Sequence, residues 1–389
     1  MTRVLIITSN FPRWEGDPHS PWLLALMARL QARGLSFQVL APAFRGMRSH
    51  EIDGIPVHRF RYAPARWETL THEDGAPNKI RSRPAYLLLL PFYVLAGLWA
   101  TWRLTGQTSF DIIHVHWPVP QGLFGLLARW RSRGRLVATF YGSGLVMAQH
   151  WPGLRQFVRF FVRRSHAITV ISPFTARLLS AITNTTPHVI PYGVVLPPPQ
   201  VWPRTQGMIL VVGRLIPRKG HMVLLRAMRL LCDLPQVHLM IVGEGQERAR
   251  LEEAIRRWGL EPCVTLTGRI SDADLQQMYR RCHVFVLPAI IDERGDTEML
   301  GMVVPEAMRY AKPVVVTAVG GLVDFVGSGA SGLVVAPADP QALAAALRQV
   351  LLDDALAARL GAGGYELVQT QFSWPRVEQA LLEVYGVQV

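Results

Sequence analysis

Short apolar runs alternate with helical patterns along the whole chain. Arg3–Thr8 reads as a first buried strand, because Val4, Leu5, Ile6 and Ile7 leave no polar edge for solvent. Apolar positions in Pro21–Ala32 recur at helical spacing, and Phe37–Ala41 predicts the second strand. Asp111–His116, Leu136–Tyr141, Ala167–Ile171 and His188–Pro191 continue the strands, with helical stretches between them. Strands that are continuously apolar, rather than alternating, belong to a parallel sheet covered on both faces.

After Tyr192-Gly193 the rhythm stops. Val194–Gln206 holds four prolines, three of them consecutive, and has no periodicity, which marks a linker. Met208–Gly213, Val237–Gly243, Val264–Thr267, Val284–Pro288, Val314–Thr317 and Leu333–Ala336 then restart the strands. His221–Leu231 and Ser271–Arg281 read as helices, the second opened by the capping pair Ser271 and Asp274, and the tail from Gln341 is mostly helical. The expected architecture is α/β, with two Rossmann-like, doubly wound parallel-sheet domains facing a central cleft. Residues 1–195 form the first, 196–206 the linker and 207–370 the second, with 371–389 a C-terminal helix packing back toward the first domain. Ligands of such folds sit outside the carboxyl ends of the strands.

Two stretches depart from the rhythm. Ala85–Trp102 is uncharged, follows Lys79, Arg81 and Arg83, and is long enough to span a bilayer. Pro91 interrupts it and strands flank it, so it reads as a core or membrane-skimming helix. In Leu154–Arg164, Arg155, Arg159 and Arg163 share one helical face opposite phenylalanines. That pattern suits an anionic surface or an ordinary surface helix with its rings in the core.

Composition sharpens the picture in two ways. The 389 residues are 50% apolar and 18% charged, enough for two cores and too ordered a mixture for disorder. Residues 1–200 carry 22 Lys+Arg against 8 Asp+Glu, whereas the remainder carries 19 against 20. Nearly all the cations are Arg. The basic half suggests an anionic membrane surface or phosphorylated acceptor; nucleic acid has only net charge behind it, without a recognised binding module, and is not expected. Cys232, Cys263 and Cys282 have no metal-ligand spacing and read as reduced thiols of a cytoplasmic protein.

Candidate chemistry gathers in the second half. Glu298 and Glu306 stand eight positions apart, the second opening a helical pattern that runs toward Lys312-Pro313. Carboxylates there can hold the hydroxyls of a sugar and a ribose, and a helix N-terminus suits a diphosphate. Upstream, Val211-Val212-Gly213 leads into a loop flanked by Arg214 and Lys219, two cations able to neutralise a diphosphate leaving group. Val242-Gly243-Glu244-Gly245 follows a strand, but Arg248 takes the place of the third glycine of a dinucleotide fingerprint, which excludes a nicotinamide reading. Neither a phosphate-binding loop with its Gly-Lys-Ser/Thr ending nor an Asp-x-Asp in a metal-binding context is present, so no metal or cofactor is expected.

The order of these motifs, with Ala307-Met308 and Gly320-Gly321, resembles that of the retaining glycosyltransferase family 4. Phe11-Pro12-Arg13 with Gly16-Asp17, His114-Val115-His116-Trp117 and Ile190-Pro191-Tyr192-Gly193-Val194 resemble its first-half motifs. The resemblance implies a GT-B fold, an acceptor in the first domain and a nucleotide diphosphate sugar in the second. It implies that Arg214 and Lys219 clamp the diphosphate and Glu306 binds the ribose. Glu298 would contact the donor sugar, and Gly213, Gly243, Glu244, Leu300 and Gly301 would line the donor site. Gly16 would approach the phosphate without a side chain, and His116 would stand near the acceptor. Two departures stand out: Tyr141 and Gly144 occupy the usual His and Asp positions after the fifth strand, and Met299 replaces a usual Gly. A tyrosine is a poor base near neutral pH.

The implied enzyme moves a hexose from a nucleotide diphosphate sugar to a lipid-linked or saccharide acceptor, without a metal, at the cytoplasmic face of a membrane. The alternatives are another GT-B activity, an epimerase or phosphorylase, or a catalytically silent binder.

Overall fold

The computed structural model describes all residues except 18, 73–75, 77–78, 81–82, 199, 201, 235, 294, 328 and 388–389. Arg81 and two residues of the expected linker lie outside the described residues. The chain divides into two compact units. Unit 1 comprises Met1–Ile171, Thr175–Ile190 and Glu378–Val389; unit 2 comprises Ser172–Phe174 and Pro191–Val377.

Unit 1 is built on eight strands: β1 (Thr2–Ile7), β2 (Leu35–Pro42), β3 (His50–Ile52), β4 (Ile55–Phe60), β5 (Ile112–His116), β6 (Arg135–Phe140), β7 (Ala167–Val170) and β8 (His188–Val189). They lie in the order β3-β4-β2-β1-β5-β6-β7-β8, all parallel except the β3–β4 pair. That hairpin turns at Asp53-Gly54, both with positive φ, and is an addition to the expected strands. Consecutive burial along β1, β5 and β6 follows from helices on both faces. The chain leaves β1 toward β2 and returns to pair β5 on its other side. The C-terminal ends of β1 and β5 are therefore the switch point of this sheet.

Unit 2 repeats the plan with β9 (Met208–Val212), β10 (His238–Val242), β11 (Val264–Gly268), β12 (Val284–Leu287), β13 (Val314–Thr317) and β14 (Leu333–Val335), in the order β11-β10-β9-β12-β13-β14. Every pairing is parallel, and its switch point lies between β9 and β12. Ser271 caps the helix Asp272–Arg281 by accepting the Asp274 N–H at 3.1 Å.

Three expectations are corrected. Cys232 and Cys263 are a disulfide rather than two thiols, since the turn after the helix His221–Met228 and the approach to β11 bring their Cα atoms to 6.4 Å; only Cys282 is free, and burial pushes its thiol up to about 12. Pro91 does not interrupt a helix. A 3₁₀ segment Pro84–Leu89 precedes the helix Leu90–Gln107, and Pro91 sits in its first turn, where no N–H is needed. The helix carrying Glu306 is only Val303–Met308 and ends well before Lys312, because Ala311 takes a left-handed turn.

Candidate active site

The loops that leave β9 and β12 meet at the switch point of unit 2. Between β9 and the helix His221–Met228 runs Gly213–Gly220, and the Ile290 N–H donates to the Arg218 carbonyl at 2.8 Å, tying it to the loop after β12. The β10 loop is stitched to the same place. Gly213 N–H donates to the Val242 carbonyl at 3.0 Å and Leu215 N–H to that of Glu244 at 2.9 Å.

Inside this frame the Lys219 ammonium contacts the Glu298 carboxylate at 2.6 Å, and the Arg218 guanidinium reaches the same oxygen at 3.5 Å. Both Lys219 and Glu298 are buried. Arg218 also donates to the Thr297 carbonyl at 2.8 Å, which fixes the turn that presents Glu298. Burial alone would raise the Glu298 carboxyl; the two cations and the Gly301 N–H outweigh it and hold the group below the usual carboxylate range. Glu298 is thus an anion enclosed by cations, able to accept hydrogen bonds from sugar hydroxyls.

Glu306 behaves oppositely. Burial raises its carboxyl above the usual range, although the Tyr279 hydroxyl donates to it at 2.9 Å and Arg309 and Lys219 oppose the rise. The Lys219 charge acts on both carboxylates, which makes it the electrostatic centre of the site.

The other candidates are spread around this pair. Arg214 is exposed on the β9 loop. Glu244 is exposed and paired with Arg248 at 2.6 Å. Gly243 packs against the β9 loop so closely that a Cβ would lie 1.9 Å from the Gly213 carbonyl oxygen. The Leu300 side chain is buried in the core, so only its backbone can face a ligand. Met299 turns its carbonyl toward the Ser172 hydroxyl at 2.8 Å.

In unit 1 the expected residues fall at the ends of β1 and β5. Gly16 has a positive φ of 78° in a turn locked by a buried ion pair: the Arg13 guanidinium donates to both Asp17 oxygens at 2.7 and 2.9 Å. Burial by itself would raise the Asp17 carboxyl, but Arg13 and the His19 N–H hold it at about 2. Its unfolded value is near 4, so this pair stabilises the fold fully above pH ~4 and loses that contribution as pH falls toward 2. Melting temperatures of the wild type and Asp17→Asn should therefore differ by the equivalent of about 1–2 kcal/mol at neutral pH and converge in acid.

His116 is buried, and its Nδ1 shares a 2.5 Å hydrogen bond with the Tyr141 hydroxyl. Tyr141 stacks on Trp117 at 4.2 Å between ring centres, and Trp22 packs against Tyr141 and His116. Behind it, the His114 ring bonds the Tyr385 and Thr139 hydroxyls at 2.8 and 2.7 Å. Burial, with His114 alongside, pushes the His116 ring well below the usual imidazole range. Tyr141, in the position where the family resemblance expects a histidine, therefore hydrogen-bonds His116.

Four further residues stand at the site that the sequence does not single out as candidates. Arg218 lies between Arg214 and Lys219, but nothing in the spacing distinguishes it from a solvated cation. Tyr279 sits outside every motif and is found only through its bond to Glu306. Burial, and after it the Glu298 charge, pushes the Tyr192 hydroxyl up. His221 is fully buried beside Lys219, both ring nitrogens lack a partner, and burial holds it at about 4. Among the described residues, no group of three His, Cys, Asp or Glu is placed to hold a metal ion.

Comparison with known proteins gives the fold and the family. A GDP-mannose-dependent alpha-(1-6)-phosphatidylinositol monomannoside mannosyltransferase of Mycolicibacterium smegmatis is 27% identical over 388 residues, covering 95% of each chain. Sucrose-phosphate synthase from Thermosynechococcus elongatus superposes with a TM-score of 0.78 at 23% identity, over 99% of this chain and 98% of that one. The Anabaena HepE structure in complex with UDP and glucose gives 0.72 at 18% identity, over the full length of both. Both establish the GT-B fold. Residues 21–193 match the glycosyl transferase 4-like domain and residues 196–367 match glycosyl transferases group 1, so the chain belongs to glycosyltransferase family 4, the group 1 glycosyltransferases.

Proposed function

We propose that this glycosyltransferase moves a hexose from a nucleotide diphosphate sugar to a hydroxyl of a lipid-linked acceptor, with retention at the anomeric carbon and without a metal ion. The observation that carries the reading is the buried Lys219–Glu298 pair at the unit 2 switch point. Lys219, with Arg218 and Arg214 on the same loop, supplies the positive charge that a departing diphosphate needs as its bond to the sugar breaks. Glu298 accepts from sugar hydroxyls and Glu306 from the ribose. Burial makes the His116 ring a weak base, so the acceptor oxygen bonds the anomeric carbon on the face from which the diphosphate departs and gives its proton to a diphosphate oxygen, which gives retention. Relatives support the substrate classes: the mycobacterial enzyme is named for GDP-mannose and a phosphatidylinositol mannoside, and HepE was solved with UDP and glucose.

We place the enzyme at the cytoplasmic face of a membrane, with no nucleic-acid partner. The basic first half supports the membrane; the Cys232–Cys263 disulfide pulls against a reducing compartment. A thermal-shift screen of nucleoside diphosphates and their sugars tests the donor. One diphosphate series should raise the melting temperature, and slow donor hydrolysis should persist in chelator. No shift with any nucleotide, and no hydrolysis, would favour instead a silent binder, the reading that Tyr141 and Gly144 keep open.

A further inference from the structure

We propose that unit 1 docks on an anionic lipid leaflet through the outward face of the helix Leu90–Gln107, its rings at the acyl boundary and flanking arginines at the headgroups. The inference rests on the lipid-borne acceptor and adds the surface that meets the lipid. One face of this helix is consumed by the fold. Tyr93, Gly97, Thr101 and Leu104 are buried, the Tyr93 hydroxyl bonds the Gln121 amide at 2.7 Å, and a Cβ on Gly97 would lie 2.1 Å from the Phe124 ring. A soluble domain would make the opposite face polar. Here it is Phe92, Leu95, Trp99 and Trp102, at helical spacing, with exposures of 60%, 65%, 64% and 46%. Leu88, just before the helix, extends the stripe.

The stripe ends in aromatic rings and cations, the composition of a membrane–water boundary. Arg131 lies 3.9 Å from the Trp102 ring, Trp102 and Trp130 are 6.0 Å apart, and Arg103 is 5.7 Å from Trp99. Arg129 donates to the Arg164 carbonyl, which carries the same mixed surface to the end of the helix Pro152–Arg164, where Arg164 covers the exposed Phe160. In that helix Arg155 and Arg159 donate to the Ala181 and Ile182 carbonyls, so the apolar stripe, not this basic face, leads the contact. The packed inner face argues against a span: Pro84–Gln107 is apolar enough to cross a bilayer, but leaving the sheet would empty the site of Tyr93 and Gly97. A second copy is disfavoured by charge, since the patch would bring the same arginines together.

Flotation with phosphatidylcholine vesicles, with and without phosphatidylglycerol, tests the proposal. Wild type should float with the anionic vesicles, and Phe92→Ser/Leu95→Ser/Trp99→Ser should lose roughly tenfold or more of that binding. The variant should keep its melting temperature and its donor hydrolysis. Undiminished flotation of the variant, equal binding to neutral vesicles, or a dimer that the serines dissolve without any vesicle binding would each overturn it. Flotation needs no donor, so a failure of the transferase reading is seen separately.

Discussion

Lys219→Ala should lower transferase turnover roughly 10²–10³-fold and destabilise the protein by ~3 kcal/mol, the usual range for losing a key charge on a leaving group and for stranding a buried carboxylate. The two effects have different origins and can be separated. Stability falls because Glu298 loses the cation at 2.6 Å and keeps its burial. In the wild type that cation holds the Glu298 carboxyl below the usual range, so the pair stabilises above the ordinary carboxylate pKa and is lost in acid. Without Lys219, only Arg218 and the Gly301 N–H oppose burial, and the group should rise. The gap in melting temperature between variant and wild type should then be widest at neutral pH and close as pH falls. Adding Glu298→Gln to Lys219→Ala removes the stranded charge and should restore most of the melting temperature while leaving turnover low. If the single variant turned over within a few-fold of wild type, the leaving-group role of Lys219 would be wrong.

That Lys219 and Glu298 lie near one another is legible in the sequence, and the reason is topological. Parallel strands buried on both faces announce themselves as unbroken apolar runs, and the loops that follow them hold the chemistry. Lys219 and Glu298 come from the loops after β9 and β12, neighbours at a switch point. What the sequence withheld depends on side-chain direction. Nothing in the Gly213–Gly220 run tells that Lys219 is buried and Arg214 exposed. Tyr279 reaches Glu306 from a different helix, a contact that no spacing encodes. The Cys232–Cys263 pair has the same cause, two turns brought together by the fold. The Asp53-Gly54 hairpin is a different kind of omission, since its turn residues carried the signal. The uncharged stretch Ala85–Trp102 was ambiguous because apolarity on every side suits a core and a bilayer alike. Only the buried Tyr93 and exposed Trp99 assign its two faces.

Gly243→Ala should cost about 3 kcal/mol and abolish measurable nucleotide binding, whereas Gly16→Ala should cost only about 1 kcal/mol. Both glycines have positive φ, so both substitutions carry backbone strain. They differ in what a methyl group would meet. At Gly243 it would lie 1.9 Å from the Gly213 carbonyl oxygen, and neither backbone can yield without unstitching the β9 loop from the β10 loop. That movement would carry Lys219 away from Glu298, so stability and binding should fail together. At Gly16, among the described residues and apart from its chain neighbours, no atom lies within 4 Å of the new Cβ, and the turn is held by Arg13 and Asp17. A folded Gly16→Ala protein that binds nucleotide with undiminished thermal shift, yet loses tenfold or more in transfer, would show that a substrate approaches the bare backbone there. Transfer at the wild-type rate would mean that the glycine serves the turn alone. The paired measurement is a melt with and without nucleotide, followed by turnover, on both variants.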